Sequence, residues 1–410
     1  MEGRIIAGLD IGTTKVCAVV VREDIEGNLN VVGVGNSPSH GLRKGVVVNI
    51  DKTVQSISDA LDEAQRIAGI DIDSLFVGIA GDHIRGMNSK GMVGVARDDH
   101  EITKSDVNRA INAAKALAMP IDREIIHVIP QEFIVDDQDG IPDPVGMSGV
   151  RLEVEVHIVT AAVTSAQNII RSVHKAGYEV EEIILEPLAS SLAVLDDDER
   201  NLGVSLIDLG GGTTDIALFF DGYIRHTAVV ALGGQHLTND IAIGLRTPPD
   251  KAEEIKLKWG VVSSAIPSQN ESISVPGVGG RPARNIYRRV LVDIITPRVE
   301  EILYLAHQKI KESDLLDVMA AGSVITGGGA LLPGITDLAE ELWSVPVKIG
   351  LPKYMGGLTD IVRSPIYSTA VGLCLYGATY HEEGSFTLGS NGNLWDQVMQ
   401  SFKRFFKRFF

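Results

Sequence analysis

Residues 205–219 read SLIDLGGGTTDIALF, and residues 6–20 read IAGLDIGTTKVCAVV. Each is an apolar stretch that runs to a carboxylate, turns on glycine and threonine, and leaves as a second apolar stretch. Asp10 matches Asp208 and Gly12 matches Gly210, with two extra residues expected in the second turn. A duplication spaced this widely narrows the choice of fold more than any other feature, and repeats are settled before folds are assigned. Two such hairpins predict two related lobes, each offering a loop and an aspartate to one cleft. Glycine in the turns lets backbone N–H groups converge on an anion without Cβ interference. A carboxylate does not bind phosphate directly. It does hold hydrated Mg2+, an ion that keeps most of its waters and takes only one or two carboxylates. For either stretch alone, a glycine-rich hairpin with no ligand is the alternative.

Length and charge set the outer bounds. At 410 residues the chain exceeds one ordinary core, so two or more lobes are expected. Its 44% hydrophobic and 22% charged residues are those of a globular protein. The formal net charge of -17 argues against a general nucleic-acid binder. Cys17 and Cys374, both in apolar surroundings, read as buried free thiols of a reducing compartment. The MEGR start is no signal peptide, and no apolar run reaches the roughly 18 residues of a spanning helix.

Periodicity fills in the first lobe. A third strand follows at Val31–Gly35, and Val54, Ile57, Leu61, Ala64 and Ile67 mark an amphipathic helix over 52–68. Leu75–Ala80 is a short strand, which gives a β-β-β-α-β order suited to a mixed sheet. Residues 84–160 change character. Thr103 or Ser105 caps a helix running to Leu117, strands are expected at Glu124–Ile129 and Leu152–Thr160, and DDQDGIPDPVG between them reads as a loop. This is an α+β insert, read as a packing or contact module. A helix over 165–176 and a strand at Ile183–Leu185 lead to Glu186-Pro187 and the helix LASSLAVL. Glu186, at a strand end beside two loops, either polarises an attacking water or simply charges a helix N-terminus.

The second half repeats the pattern with additions. Residues 234–258 read as largely helical, 263–283 as a loop or hairpin, and 284–311 as a long helix interrupted near Pro297. Arg284, Arg288, Arg289 and Arg298 cluster there, either to dock an acidic partner or as a solvated face. A strand to Thr326 then enters a glycine turn and a helix, a ready nucleotide contact. Residues 364–378 form a helix with small positions Ala370, Gly372 and Gly377. It is the natural partner of the 187–195 helix, a crossing suited to a hinge.

Five stretches, 8–20, 186–195, 205–219, 324–347 and 364–377, resemble the phosphate-1, connect-1, phosphate-2, adenosine and connect-2 motifs of the superfamily of actin, sugar kinases and heat-shock chaperone ATPases. Each is unspecific alone, but five in order along the chain are not. The resemblance implies an α/β, actin-like two-lobe ATPase fold closing on ATP and Mg2+. It implies that Asp10 and Asp208 position the hydrated metal. Gly12, Thr13, Thr14, Lys15, Gly210, Gly211, Gly212 and Thr213 then cradle phosphates, while Lys256, Gly327, Gly328 and Gly329 border the nucleoside. Glu186 orients water, with Asp208 as the second catalytic group.

Within that superfamily the chain is most similar to the FtsA family, bacterial cell-division actin homologues. The insert, the EEIKLKWG stretch and the C-terminal tail carry this likeness. It implies a lobe 1 core (1A) from 1–83, 161–200 and 364–380, with the inserted subdomain (1C) at 84–160. The lobe 2 core (2A) takes 201–238 and 310–363, its outer subdomain (2B) 239–309, and a linker 381–393. The resemblance further implies self-assembly into filaments, with slow ATPase activity in a chiefly structural role. FtsZ, the tubulin-like division protein, is the implied partner through its C-terminal tail, with Arg284, Arg288 and Arg298 as the docking positions. Other division proteins are further candidate partners.

The tail is legible by itself. Residues 394–410, LWDQVMQSFKRFFKRFF, place Trp395, Phe402, Phe405, Phe406, Phe409 and Phe410 on one side of a helical wheel. Lys403, Arg404, Lys407 and Arg408 lie on the other. At 1.5 Å per residue the helix is about 25 Å long and charged throughout, so it lies in an anionic membrane surface and does not span. Each basic residue contributes roughly 1 kcal/mol near anionic lipid. A helix packed on the core, or one that enters a calmodulin-like groove, is the alternative. The expected location is the cytoplasmic face of the inner membrane at the division septum. A small-molecule kinase and a pilus-assembly module of the PilM type are the rival functions.

Overall fold

The computed structural model describes residues 3–96, 99–116, 119–262 and 271–379. The expected duplication is visible in its two main sheets. In lobe 1, β1 (Arg4–Ile11), β2 (Lys15–Glu23) and β3 (Leu29–Pro38) form an antiparallel meander. A two-residue pair, β4 (Leu42–Arg43) and β5 (Val46–Val47), precedes helix α1 (Ile50–Ala68). Strand β6 (Ser74–Ile79) then returns parallel to β1. Val16 to Val21 on β2 are all buried, the unbroken apolar run of a strand covered on both faces. Helix α1 starts where the Asn49 side chain accepts from Lys52 N–H and stops at Gly69, whose φ is +64°. It presses Ala60 against Gly35, where a Cβ would stand 1.9 Å from the Ala60 carbonyl oxygen.

The insert is a second layer with its own core. It runs β7 (Arg85–Gly94), α2 (Lys104–Lys115), β8 (Arg123–Val135), β9 (Gln138–Ile141) and β10 (Arg151–Ala162), with sheet order β7-β10-β8-β9. Thr103 caps α2 in a reciprocal box with Asp106. The expected loop at 136–146 contains strand β9. Asp136, Asp137 and Gly140 take positive φ, which reverses the chain and lets Ile141 bury opposite Phe133. Helix α2 ends at Lys115; Leu117 lies outside the described residues.

The insert touches both lobes through buried polar groups. His157 is pushed down to about 3, chiefly by burial, so it is neutral. It donates from Nδ1 to Asn88 Oδ1 (2.6 Å) and accepts at Nε2 from Thr227 Oγ1 (2.9 Å). Gln131 donates to the Ile224 carbonyl on the same side. Toward lobe 1, Leu185 N–H donates to His127 Nε2 at 3.0 Å.

After the insert come α3 (Val163–Lys175), β11 (Glu179–Leu185), α4 (Glu186–Val194) and α5 (Asp197–Leu202). Lobe 2 then repeats the meander as β12 (Val204–Leu209), β13 (Thr214–Phe220) and β14 (Tyr223–Val230). Helices α6 (Gly234–Gly244) and α7 (Pro249–Trp259) and a hairpin of β15 (Ser272–Val275) and β16 (Arg284–Tyr287) follow. Here two expectations are corrected. Arg284 is on a strand, because 284–287 pairs with β15. Helix α8 (Arg288–Lys311) passes through Pro297 unbroken, since Ile295, Val299, Ile302 and Leu303 bury on both sides of the lost hydrogen bond.

Strand β17 (Ser323–Thr326) runs parallel to β12, and α9 (Ile335–Trp343), β18 (Val347–Ile349), β19 (Gly356–Gly357) and α10 (Thr359–Val362) lead to α11 (Ser368–Thr379). The glycine turn after Thr326 enters a 3-10 turn at 328–331 before α9, and α11 starts after a 3-10 turn at Pro365–Tyr367. The order β6-β1-β2-β3 in one sheet matches β17-β12-β13-β14 in the other. Ile6 and Cys17 of lobe 1 share a core with Leu206 and Phe219 of lobe 2, and α4 and α11 contribute to it. Both cysteines are buried and free. Among the described residues no helix is long and apolar enough to cross a membrane. Residues 263–270 of the expected loop or hairpin, the expected linker 381–393 and the expected tail helix 394–410 lie outside the described residues.

Candidate functional site

The two repeated turns are the same size, which corrects the expected two extra residues. Ile11 pairs with Val16 and Leu209 with Thr214, and Asp10 and Asp208 each face the residue seven positions on. In both, the glycine N–H closes the turn: Gly12 donates to the Lys15 carbonyl (2.9 Å) and Gly210 to the Thr213 carbonyl (3.0 Å). The turns meet tip to tip across the lobes. A Cβ on Gly211 would stand 2.5 Å from Thr14 Oγ1, and one on Gly212 would stand 2.4 Å from Thr13 Oγ1. Glycine is therefore required for this approach. Thr13 is steadied by Gly45 N–H, and Gly234 and Gln235 N–H groups at the start of α6 donate to the Gly210 and Gly211 carbonyls.

Four carboxylates share the floor. Burial pushes Asp10 up to about 6 against the pull of Lys15. Burial and then the Asp10 charge push Asp208 up to about 7. Asp215 rises to about 7 through burial and Asp208. Glu186 is raised well above the carboxylate range by burial and then by Asp10, Asp215 and Asp208. Acids crowded in this way resist ionisation unless a cation joins them. Among the described residues no three acidic, His or Cys side chains converge closely enough to chelate a metal directly. An all-oxygen set that does not chelate directly suits a cation that keeps its waters, which Mg2+ does.

Asp215 was not among the residues singled out from sequence. It lies directly across from Asp208 in the β12–β13 register, so both side chains share one face. Its Oδ2 accepts from the Thr213 hydroxyl at 2.9 Å and it takes a hydrogen bond from Gly81 N–H of lobe 1. Its Oδ1 is buried without a hydrogen-bond partner. The period-two alternation from Asp208 around the turn was the available signal.

The other predicted positions divide. Gly327, with φ +81°, wraps the end of β12; a Cβ there would stand 2.3 Å from Asp208 Oδ1. Gly329 packs on Leu209, and Gly328 faces Ile366. Lys256 is beside the second turn, donating to the Gly234 carbonyl (3.1 Å) and Thr238 Oγ1 (2.9 Å) and pairing with Glu253. Lys15 Nζ donates to the Ile366 carbonyl at 2.7 Å and stands over the Tyr367 ring, which ties the first turn to the start of α11. The three arginines lie away from the cleft. Arg284 donates to the Leu245 carbonyl, Arg288 to the Trp259 carbonyl and Glu271, and Arg298 to Asp240 and Glu301. Arg284 and Arg298 thus both grip α6 and its end.

A family model described as "Cell division protein FtsA" matches residues 205–372. The "Cell division protein FtsA" of Pseudomonas aeruginosa is 50% identical over 383 residues, which cover 93% of this chain and 91% of that one. The chain belongs to the FtsA family. The family's SHS2 domain, described as inserted in FtsA, matches residues 81–160. The FtsA of Escherichia coli K12 is 40% identical over 390 residues, with 93% and 92% of the two chains covered. Among solved structures, the PilM–PilN type IV pilus biogenesis complex has a TM-score of 0.65 at 16% identity, covering 91% of this chain and 98% of the other. MreB5 of Spiroplasma citri bound to ADP has a TM-score of 0.59 at 15% identity, covering 92% and 98%. These likenesses show an actin-like fold, here in an FtsA-family member with its inserted domain.

Proposed function

We propose that this FtsA-family chain binds one ATP with Mg2+ between its two hairpins, assembles with copies of itself on the cytoplasmic face of the membrane, and anchors FtsZ filaments at the septum. The observation that supports the nucleotide reading is the tip-to-tip approach of the two hairpins, in which the Thr13 and Thr14 side chains of one turn meet the bare backbone of Gly211 and Gly212 in the other. MreB5 of Spiroplasma citri has been solved with ADP and with AMPPNP in the same fold.

In this reading the residues divide the work. Gly12, Thr13, Thr14, Gly210, Gly211, Gly212 and Thr213 hold phosphate oxygens. Asp10 and Asp208 hold the waters of Mg2+, which supplies charge neutralisation. Lys256 and Gly327–Gly329 border the nucleoside, and Lys15 fixes the first loop. Glu186, at the start of α4, would be the group that takes a proton from the attacking water. Burial, and then the Asp10, Asp215 and Asp208 charges, favour its protonated form; in this reading turnover is slow and the nucleotide chiefly sets the conformation. The division into 1A, 1C, 2A and 2B keeps the boundaries given above except at the end of 2A, because β19 (Gly356–Gly357) pairs with β3 in the lobe 1 sheet. The tail 394–410 lies in anionic lipid, and assembly multiplies these weak anchors by avidity.

The FtsZ contact is assigned to Arg284, Arg288 and Arg298 on 2B. The test is fluorescence anisotropy of a labelled FtsZ C-terminal peptide. Micromolar binding weakened about tenfold by Arg298→Ala, the loss of one charged pair, supports this surface. Equal binding by the parent and by Arg284→Ala and Arg298→Ala variants contradicts it.

A further inference from the structure

Helices α4 and α11 cross so closely that a Cβ on Gly372 would stand 1.9 Å from the Ala189 carbonyl oxygen. Two hydroxyls are buried in this apolar crossing, Ser190 on α4 and Thr369 on α11. Both belong to lobe 1 helices, and both reach the same lobe 2 carboxylate. Thr369 Oγ1 donates to Asp208 Oδ2 at 3.3 Å, and the Ser190 hydroxyl, which reaches the Pro187 carbonyl at 3.5 Å, lies beside the same carboxylate. Asp208 Oδ1 lies on the side of the Gly327 turn. One residue earlier on α11, Ser368 Oγ meets Thr326 Oγ1 at 2.7 Å. Thr326 is the strand neighbour of Asp208 in the β12–β17 pairing. Consecutive residues of α11 therefore grip two adjacent strand ends of the opposite lobe.

We infer that Ser190 and Thr369 are positioning residues for Mg2+, holding Asp208 from the two hinge helices so that cation affinity and the packing of the hinge are one property. The inference rests on the reading of the cleft as a Mg2+–nucleotide site. A donor on one oxygen of a carboxylate, with a second hydroxyl packed beside it, fixes its rotamer and leaves the other oxygen for a metal-bound water. The coupling is reciprocal: a cation that draws on Asp208 tightens the crossing, and a loosened crossing weakens the cation.

The experiment uses the full chain and a fluorescent ATP analogue, titrated with MgCl2 and, separately, in EDTA. Thr369→Val keeps shape and removes the donor; Ser190→Ala is the milder second variant, and Thr369→Ser restores the hydroxyl. Thermal unfolding confirms that each is folded. The Mg2+ midpoint is expected to rise about tenfold in Thr369→Val, the effect of one hydrogen bond to a charged group, and less in Ser190→Ala. Thr369→Ser stays near the parent, and affinity in EDTA is unchanged throughout. Midpoints within twofold of the parent overturn the inference, as does an equal loss in EDTA and Mg2+, which marks a merely structural role. A parent that binds no analogue at all contradicts the nucleotide reading itself, and the inference with it.

Discussion

Asp215 shows what the carboxylate cluster costs the fold. Its folded pKa of about 7 lies above the ordinary 3.8. A raised acid contributes stability that is fully present below the unfolded value and lost as pH rises through the folded one. Asp215→Asn keeps a neutral group at every pH. Relative to the parent, it is predicted to gain stability between pH 4 and 7, on the order of 1.4 kcal/mol per pH unit, and to level off above pH 7. Urea unfolding at pH 5 and pH 8, without Mg2+ or nucleotide, measures this. A difference that does not change with pH contradicts it. Asp10, Gly12, Asp208 and the glycine turns were legible because each is encoded within a few consecutive residues. Asp215, Ser190 and Thr369 were not. Their roles come from a cross-strand register and from the other lobe, which local pattern does not report.

At the scale of elements, strands and helices with a clear period matched their expectations closely, α1 and α4 among them. Apart from α8, which continues through Pro297, the misses fell where partner strands decide. The pairing of 284–287 with β15 made a strand of an arginine-rich segment, and Ile141 opposite Phe133 made one inside a polar loop. The two extra residues expected in the second turn are absent, because the strand register makes the turns equal. The α4–α11 crossing, by contrast, was readable from small residues alone. Gly372→Ala inserts a methyl against the Ala189 carbonyl, and overpacking of this kind costs about 1–3 kcal/mol. A lowered thermal midpoint together with altered nucleotide affinity is expected. An unchanged midpoint means that the helices separate freely, which contradicts a tight hinge.

For the whole molecule, the repeat is the organising fact. Two lobes of matching strand order share a core through α4 and α11, and the insert bridges both with neutral histidines at its seams. The central claim is that neither hairpin suffices and that both serve one nucleotide. Isothermal titration of the full chain with ATP in MgCl2 tests it most directly, with Asp10→Asn and Asp208→Asn variants beside the parent. One ATP per chain is predicted, with affinity lowered at least about tenfold by either substitution, as removal of one charged hydrogen-bond partner implies. Two independent sites, or full affinity in either variant, would show that one hairpin binds alone, and the shared cleft would be wrong.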